Sequence, residues 1–199
     1  FLTVVVAASL ALAVVALRSP DLALADGAWE RVGPEGGFVW VMGISPGFET
    51  DRTVFAGTDG GGVFRSTDGG ETWNKKDQGL TTRTVPTLVV SPDFERDSTI
   101  FAGSPVGVFR SIDRGDTWVE VNEGLENPKG LVLAISPDFE SDSTLIAGTT
   151  DGIYRSTDGG DSWTASNNGL TGALLLSLSI SPTYAEDATM YAGLVKSQV

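Results

Sequence analysis

The amino-acid sequence predicts an all-β fold, a β-propeller of four-stranded antiparallel blades, with about three and a half blades in the 199 residues and hence a fragment of a larger propeller. Three observations predict it. The octapeptide Ser66-Thr67-Asp68-Gly69-Gly70-Glu71-Thr72-Trp73 returns as Ser111-Ile112-Asp113-Arg114-Gly115-Asp116-Thr117-Trp118 and as Ser156-Thr157-Asp158-Gly159-Gly160-Asp161-Ser162-Trp163, 45 residues apart each time. Other landmarks keep step with it: Ser-Pro at 45, 91, 136 and 181, Ala-Gly at 56, 102, 147 and 192, and Gly-Leu at 79, 124 and 169. Between the landmarks lie short β-branched and aromatic runs separated by glycine-rich turns, and no helical period intervenes.

Residues 1–25 stand apart from the repeat. Phe1 to Leu17 carries no charge and is followed by Arg18, Pro20 and Ala23-Leu24-Ala25, the pattern of a secretory signal peptide cut before Asp26. An uncleaved signal anchor is the alternative, because an apolar run of 17 residues is at the short end of a membrane span. With no initiator Met and no basic leader, the sequence is expected to begin inside its gene. Residues 26–199 form the partial propeller, with Trp29 to Val32 as the outer strand of a missing last blade, blades at 37–80, 81–125 and 126–170, and a partial blade at 171–199. The fourth period stops after Gly193 without an octapeptide, so the ring of about 4 to 8 blades is expected to be cut. A dimer of half-propellers is the alternative, since an open sheet edge invites pairing. In the second period the strands are expected at Thr84 to Val90, Thr99 to Gly103, Gly107 to Ser111 and Thr117 to Val121.

The octapeptide has a mechanical reading. Asp68, Asp113 and Asp158 can accept hydrogen bonds from the N–H groups of their own turns, and Gly70, Gly115 and Gly160 tolerate positive φ. Ser66, Ser111 and Ser156, with Thr72, Thr117 and Ser162, can bond across the hairpin. Trp73, Trp118 and Trp163 supply rings to bury between blades.

These octapeptides resemble the Asp-box, or BNR, repeat of sialidases, sortilin-type receptors, xyloglucanases and photosystem II assembly propellers, and the resemblance covers Trp29 to Val199. It implies a propeller whose boxes are structural and peripheral; it does not imply an activity. Asp59, in Gly57-Thr58-Asp59-Gly60-Gly61-Gly62-Val63-Phe64-Arg65, resembles the aspartate of the T-D-x-G-G-x-Y-R segment of xyloglucanase-type glycosidases, which implies a catalytic base. A glycosidase needs a second, facing carboxylate, about 6 to 9 Å away for inversion, and none is assignable. The other reading makes Asp59 and its counterpart Asp151 turn residues between second and third strands. Arg65, Arg110 and Arg155 resemble the arginine cluster that grips sialic acid in sialidases, but no Arg-Ile-Pro segment precedes the first box, and pairing with nearby carboxylates is the alternative.

Composition narrows the chemistry. A net charge of −13 repels phosphate backbones and excludes nucleic acid as a partner. Lacking Cys and His, the chain builds no disulfide, no thiolate or imidazole metal site and no Ser-His-Asp triad. No cofactor is expected. Calcium is considered for the acidic loops Gly47 to Asp51, Asp93 to Asp97, Asp138 to Asp142 and Thr183 to Asp187, whose shared features, an aromatic and a final Asp, suit packing and turn capping. Two functions compete: a non-catalytic extracytoplasmic scaffold binding a protein or glycan through its blade loops, or a sialidase- or xyloglucanase-like glycoside hydrolase with part of its site in missing blades.

Overall fold

Successive antiparallel sheets follow one another along the chain in the computed structural model, which describes residues 3–6, 13–16, 30–31, 33–129, 131–167 and 173–196. Blade one consists of β4 (Phe38–Ile44), β5 (Val54–Asp59), β6 (Val63–Ser66) and β7 (Asn74–Lys75), preceded by β1 (Thr3–Val6), β2 (Ala13–Ala16) and β3 (Glu30–Arg31). Blade two is β8 (Thr87–Val90), β9 (Ile100–Ser104), β10 (Gly107–Ser111) and β11 (Val119–Glu120). Blade three is β12 (Val132–Ile135), β13 (Leu145–Thr149), β14 (Gly152–Ser156) and β15 (Thr164–Ala165), and blade four contributes β16 (Ala173–Ile180) and β17 (Met190–Lys196). Within each blade every strand pairs antiparallel with its sequence neighbour. The fold is the β-propeller arrangement that the repeat implies.

The uncharged run Phe1 to Leu17 contributes β1 and β2, which pair with Thr3 opposite Ala16 and Val6 opposite Ala13. The rest of the expected signal segment lies outside the described residues. Glu30 and Arg31, expected as the outer strand of a blade, are a strand whose partner is β2, with Val15 opposite Arg31.

In blade two the second strand is shifted by one residue, to Ile100–Ser104, and two strand limits differ by more, for one reason each. The inner strand of blade two begins at Thr87; Thr84 makes only an isolated bridge to Asp59 of blade one, with Pro86 between, which has no N–H to give. The outer strand is two residues, because Thr117 is spent in the turn and the Trp118 N–H bonds to Gln78 O of the preceding blade. The Ser-Pro loops also contain single helical turns: α1 (Phe48–Asp51), α2 (Phe94–Asp97), α3 (Phe139–Asp142) and α4 (Tyr184–Asp187), each closed by a left-handed residue.

The core lies between blades. Phe55 and Val63 of blade one pack with Val85, Leu88, Phe94, Phe109 and Trp118 of blade two. Phe101, Val108 and Val121 of blade two pack with Leu133, Phe139, Leu145 and Trp163 of blade three. The aromatics of α2 and α3 reach back one blade and meet Phe55 and Phe101 edge-on, at 5.6 and 5.7 Å between ring centres.

Candidate functional site

Antiparallel pairing gives each blade two ends. At one end lie the octapeptide turns and the Ser-Pro loops; at the other lie the hairpins between second and third strands and the linkers to the next blade. The two ends have different chemistry.

At the octapeptide end the carboxylates are occupied. Asp68 accepts from the Ser66 hydroxyl at 2.7 Å, the Thr72 N–H at 2.9 Å and the Thr72 hydroxyl at 2.6 Å, while Ser66 Oγ accepts from the Gly70 N–H at 2.8 Å. Ser111, Asp113, Gly115 and Thr117 repeat the pattern at 2.6, 2.8, 2.9 and 2.5 Å, as do Ser156, Asp158, Gly160 and Ser162 at 2.7, 2.8, 2.9 and 2.6 Å. Gly70, Gly115 and Gly160 all have positive φ. Burial pushes the Asp68 carboxyl up, but the Thr72 hydroxyl and N–H, the Ser66 hydroxyl and the Glu71 N–H outweigh it and hold the group at about 2, below its ordinary 3.8. Asp113 is lowered in the same way, against its own burial, and Asp158 is lowered chiefly by the Ser162 hydroxyl.

The Ser-Pro loops close on themselves too. Ser45, Ser91, Ser136 and Ser181 donate to Asp51, Asp97, Asp142 and Asp187 at 2.6, 2.5, 2.6 and 2.7 Å. Each of those aspartates also accepts, at 2.8 Å, the N–H of Thr53, Thr99, Thr144 or Thr189. The Ser181 hydroxyl, with the Thr189 N–H, lowers Asp187. Among the described residues no three His, Cys, Asp or Glu side chains gather as a metal site.

A pH prediction follows. A carboxyl lowered in the folded state stabilises the fold at pH above its unfolded value and loses that contribution as pH falls through its folded value. With Asp68 at about 2 against 3.8, and Asp113, Asp158 and Asp187 lowered alongside it, stability is expected to hold above about pH 4 and to fall between about pH 4 and 2. Urea midpoints measured across that window check it; a flat profile would refute it.

The tryptophans join blades. Trp118 is 3% exposed and its indole donates to Lys76 O at 2.9 Å; Trp163 is 4% exposed and donates to Val121 O at 2.9 Å. Trp73 is half-buried and donates at 3.1 Å to Gly70 O of its own turn. The arginines act across the same seams. Arg65 donates to Arg114 O at 2.6 Å and pairs with Asp116 at 3.2 Å; Arg110 donates to Gly159 O at 2.9 Å and pairs with Asp161 at 2.7 Å. They sit one per seam and do not converge into a cluster. Arg155 is exposed and has no partner among the described residues.

The hairpin end is open and differs from blade to blade. Asp59 is exposed and accepts from the Thr84 hydroxyl at 3.0 Å; Asp151 accepts from Asn127 at 2.7 Å. Asp59 therefore ties its hairpin to the linker that follows blade one, and Asp151 ties its hairpin to the linker that precedes blade three. The Gly60 and Gly62 N–H groups bond to Arg83 O, each at 2.9 Å, which holds the exposed Arg83 beside the hairpin. Phe38 lies opposite Asp59 in the β4–β5 register, and a bulge between Val39 and Val41 expels Trp40 from the pairing. Phe38 and Trp40 are 50% and 54% exposed, so two aromatic faces, a carboxylate, a hydroxyl and a guanidinium share this end of blade one. Sequence reasoning found Asp59 and missed Trp40, because the bulge has no residue signature.

Among solved structures, the chain is similar to an ancestral GH74 enzyme, at 23% identity and TM-score 0.63 over 83% of this chain and 23% of that one. It is similar to the GH74 xyloglucanase from Xanthomonas campestris, at 16% and 0.63 over 83% of this chain and 29% of that one. YCF48 bound to D1 peptide matches at 16% and 0.56, over 78% of this chain and 49% of that one. The chain thus spans less than a third of the length of either GH74 protein, and at these identities the likeness establishes the propeller fold alone. No curated protein matches it by sequence. The family described as "Sortilin, neurotensin receptor 3" matches residues 61–189, more than half of the chain, and the chain belongs to this Sortilin-Vps10 family.

Proposed function

We propose that the chain is a non-catalytic extracytoplasmic scaffold that holds a protein or glycan partner at the hairpin end of its blades. The contrast between the two ends carries this reading. The octapeptide end repeats the same closed hydrogen-bond pattern in blades one to three. The hairpin end changes from Asp59-Gly60-Gly61-Gly62 to Pro105-Val106 to Thr150-Asp151, and presents Phe38, Trp40, Asp59 and Arg83 to solvent. Aromatic faces beside polar groups suit stacking on a sugar ring or packing on a peptide side chain. The peptide held by YCF48 supports the peptide alternative, and the uncharged run Phe1 to Leu17 supports an extracytoplasmic location.

Binding to an immobilised glycan array and to a displayed peptide library tests the reading. For any ligand found, Trp40→Ala and Arg83→Ala are expected to weaken affinity about tenfold or more with the melting temperature unchanged; ligands insensitive to both changes would overturn the site. With xyloglucan or a sialoside the protein is expected to release no sugar. Hydrolysis that disappears in Asp59→Asn would establish the glycoside hydrolase instead.

A further inference from the structure

We propose, resting on the reading of the hairpin end given above, that the seam between blades two and three holds one basic side chain of a peptide partner. The acceptors are the carboxylates of Glu126 and Asp151 and the hydroxyl of Tyr154.

The fold brings these three groups together. Leu125 and Tyr154 are buried in one cluster between blades two and three, which sets Glu126, the next residue of the linker, beside the same seam. Two hydrogen bonds fasten that linker to the hairpin between β13 and β14: Asn127 donates to Asp151 at 2.7 Å, and the Thr150 N–H bonds to Lys129 O at 2.9 Å. Glu126 and Asp151 are both exposed. The blades on either side of the seam each have four strands.

The hydroxyl is the second observation. Tyr154 is 5% exposed, and its oxygen has no hydrogen-bond partner among the described residues. Burial pushes the phenol above its ordinary 10, and the charges of Glu126 and then Asp151 push it further, as they do for a hydroxyl aimed at both. A buried polar group without a partner calls for one. Packing does not require the oxygen, because the equivalent residues of blades one and two are Phe64 and Phe109, which face Ala56 and Ala102 as Tyr154 faces Ala147. Nor does the repeat require the acids: Glu126 follows Gly-Leu where the preceding linker has Thr81, and Asp151 stands where the hairpin of blade two has Val106. Three departures from the repeat thus meet at one seam.

Their chemistry selects the occupant. Neither carboxylate has an ion pair among the described residues, and Lys129, exposed on the same linker, pairs with neither. Two carboxylates and a phenol oxygen accept hydrogen bonds, and a guanidinium or ammonium group brings only donors. Calcium takes about six to eight oxygen ligands, and Asn127 is already committed, its amide to Asp151 and its Oδ1 to the Lys129 N–H at 3.3 Å. The net charge of −13 draws a basic segment towards the protein and repels an acidic one.

Nuclear magnetic resonance titration of the full chain with acetyl-Gly-Arg-Gly-amide at low salt tests the proposal, with acetyl-Gly-norleucine-Gly-amide as the uncharged control. Saturable shifts are expected at 126–129 and 149–154, with the arginine peptide binding about tenfold or more tightly than the control and weakening as salt rises. Glu126→Gln and Asp151→Asn are each expected to weaken it about threefold to tenfold, and Tyr154→Phe about threefold. The melting temperature of Tyr154→Phe is expected to stay unchanged, since phenylalanine already fills that place in blades one and two. Glu123→Gln removes the same charge from the same linker and is expected to leave binding as it is. Equal binding of the two peptides, or equal losses for Glu123→Gln and Glu126→Gln, would overturn the site. Failure of the arginine peptide while ligands sensitive to Trp40→Ala are still captured overturns the basic group alone; failure of both overturns the hairpin-end reading with it.

Discussion

Replacing Trp118 with alanine is expected to destabilise the protein by about 3–5 kcal/mol, the range for removing a large buried aromatic. The ring is 3% exposed and belongs to the cluster that joins blade one to blade two, with Phe55, Val85, Phe94 and Phe109 around it. Its indole N–H bonds to Lys76 O and its backbone N–H to Gln78 O, so the same residue fastens two points of the preceding blade. Trp118→Phe separates the contributions: it keeps most of the apolar area and loses the indole bond, a cost of about 1 kcal/mol or somewhat more if Lys76 O is left dry. Trp73 provides the internal comparison, because it is half-buried and bonds to its own turn. Urea denaturation followed by circular dichroism is expected to show a clearly smaller loss for Trp73→Ala than for Trp118→Ala. Equal losses would mean that the octapeptide tryptophans act within their own turns and that the seams are held by other groups.

The seams explain which features of the molecule could be read beforehand. The blade count and the order of strands were legible because the repeat keeps the Ser-Pro, Ala-Gly and octapeptide landmarks in step, and periodicity survives whatever the tertiary contacts do. The backbone acceptors were not legible. Lys76 O and Val121 O have no side-chain signature, and the residues that bear them differ in type. The single helical turns at Phe48, Phe94, Phe139 and Tyr184 were hidden for another reason: four residues are too few to show a helical period. The partners of Arg65 and Arg110 were within reach, since Asp116 and Asp161 each lie 51 residues further on, one period plus a fixed offset. Exposure of Trp40 was not, because an aromatic on an inner strand reads as core until the bulge at Val39–Val41 is seen. The candidate site therefore divides. Asp59 was named from its likeness to the T-D-x-G-G-x-Y-R segment, with an Asp-Gly hairpin as the other reading, while its neighbours Phe38, Trp40 and Arg83 come together only through register and linker path.

Gly124→Ala is expected to cost about 2–5 kcal/mol, combining left-handed backbone strain with overpacking at a seam. Gly124 has φ +80°, and a Cβ there would stand 2.2 Å from the Trp163 carbonyl oxygen. Backbone on both sides leaves no flexible side chain to yield. The crowding has a cause: Glu123 O accepts the Trp163 N–H at 2.8 Å, so the linker is drawn flat against the next octapeptide, and the adjoining Leu125 is buried in the seam. Gly79 repeats the arrangement against Trp118, with φ +90° and a Cβ contact of 2.1 Å. The Gly-Leu landmark is thus a condition of close blade contact. Gly60→Ala isolates the strain, because Gly60 has φ +92° and open space around its Cβ position; it is expected to cost only about 1 kcal/mol. If urea midpoints fall equally for Gly124→Ala and Gly60→Ala, backbone conformation alone selects glycine at these positions. A larger fall for Gly124→Ala, with the near-ultraviolet signal of the tryptophans altered, assigns the difference to the pressed seam between blades two and three.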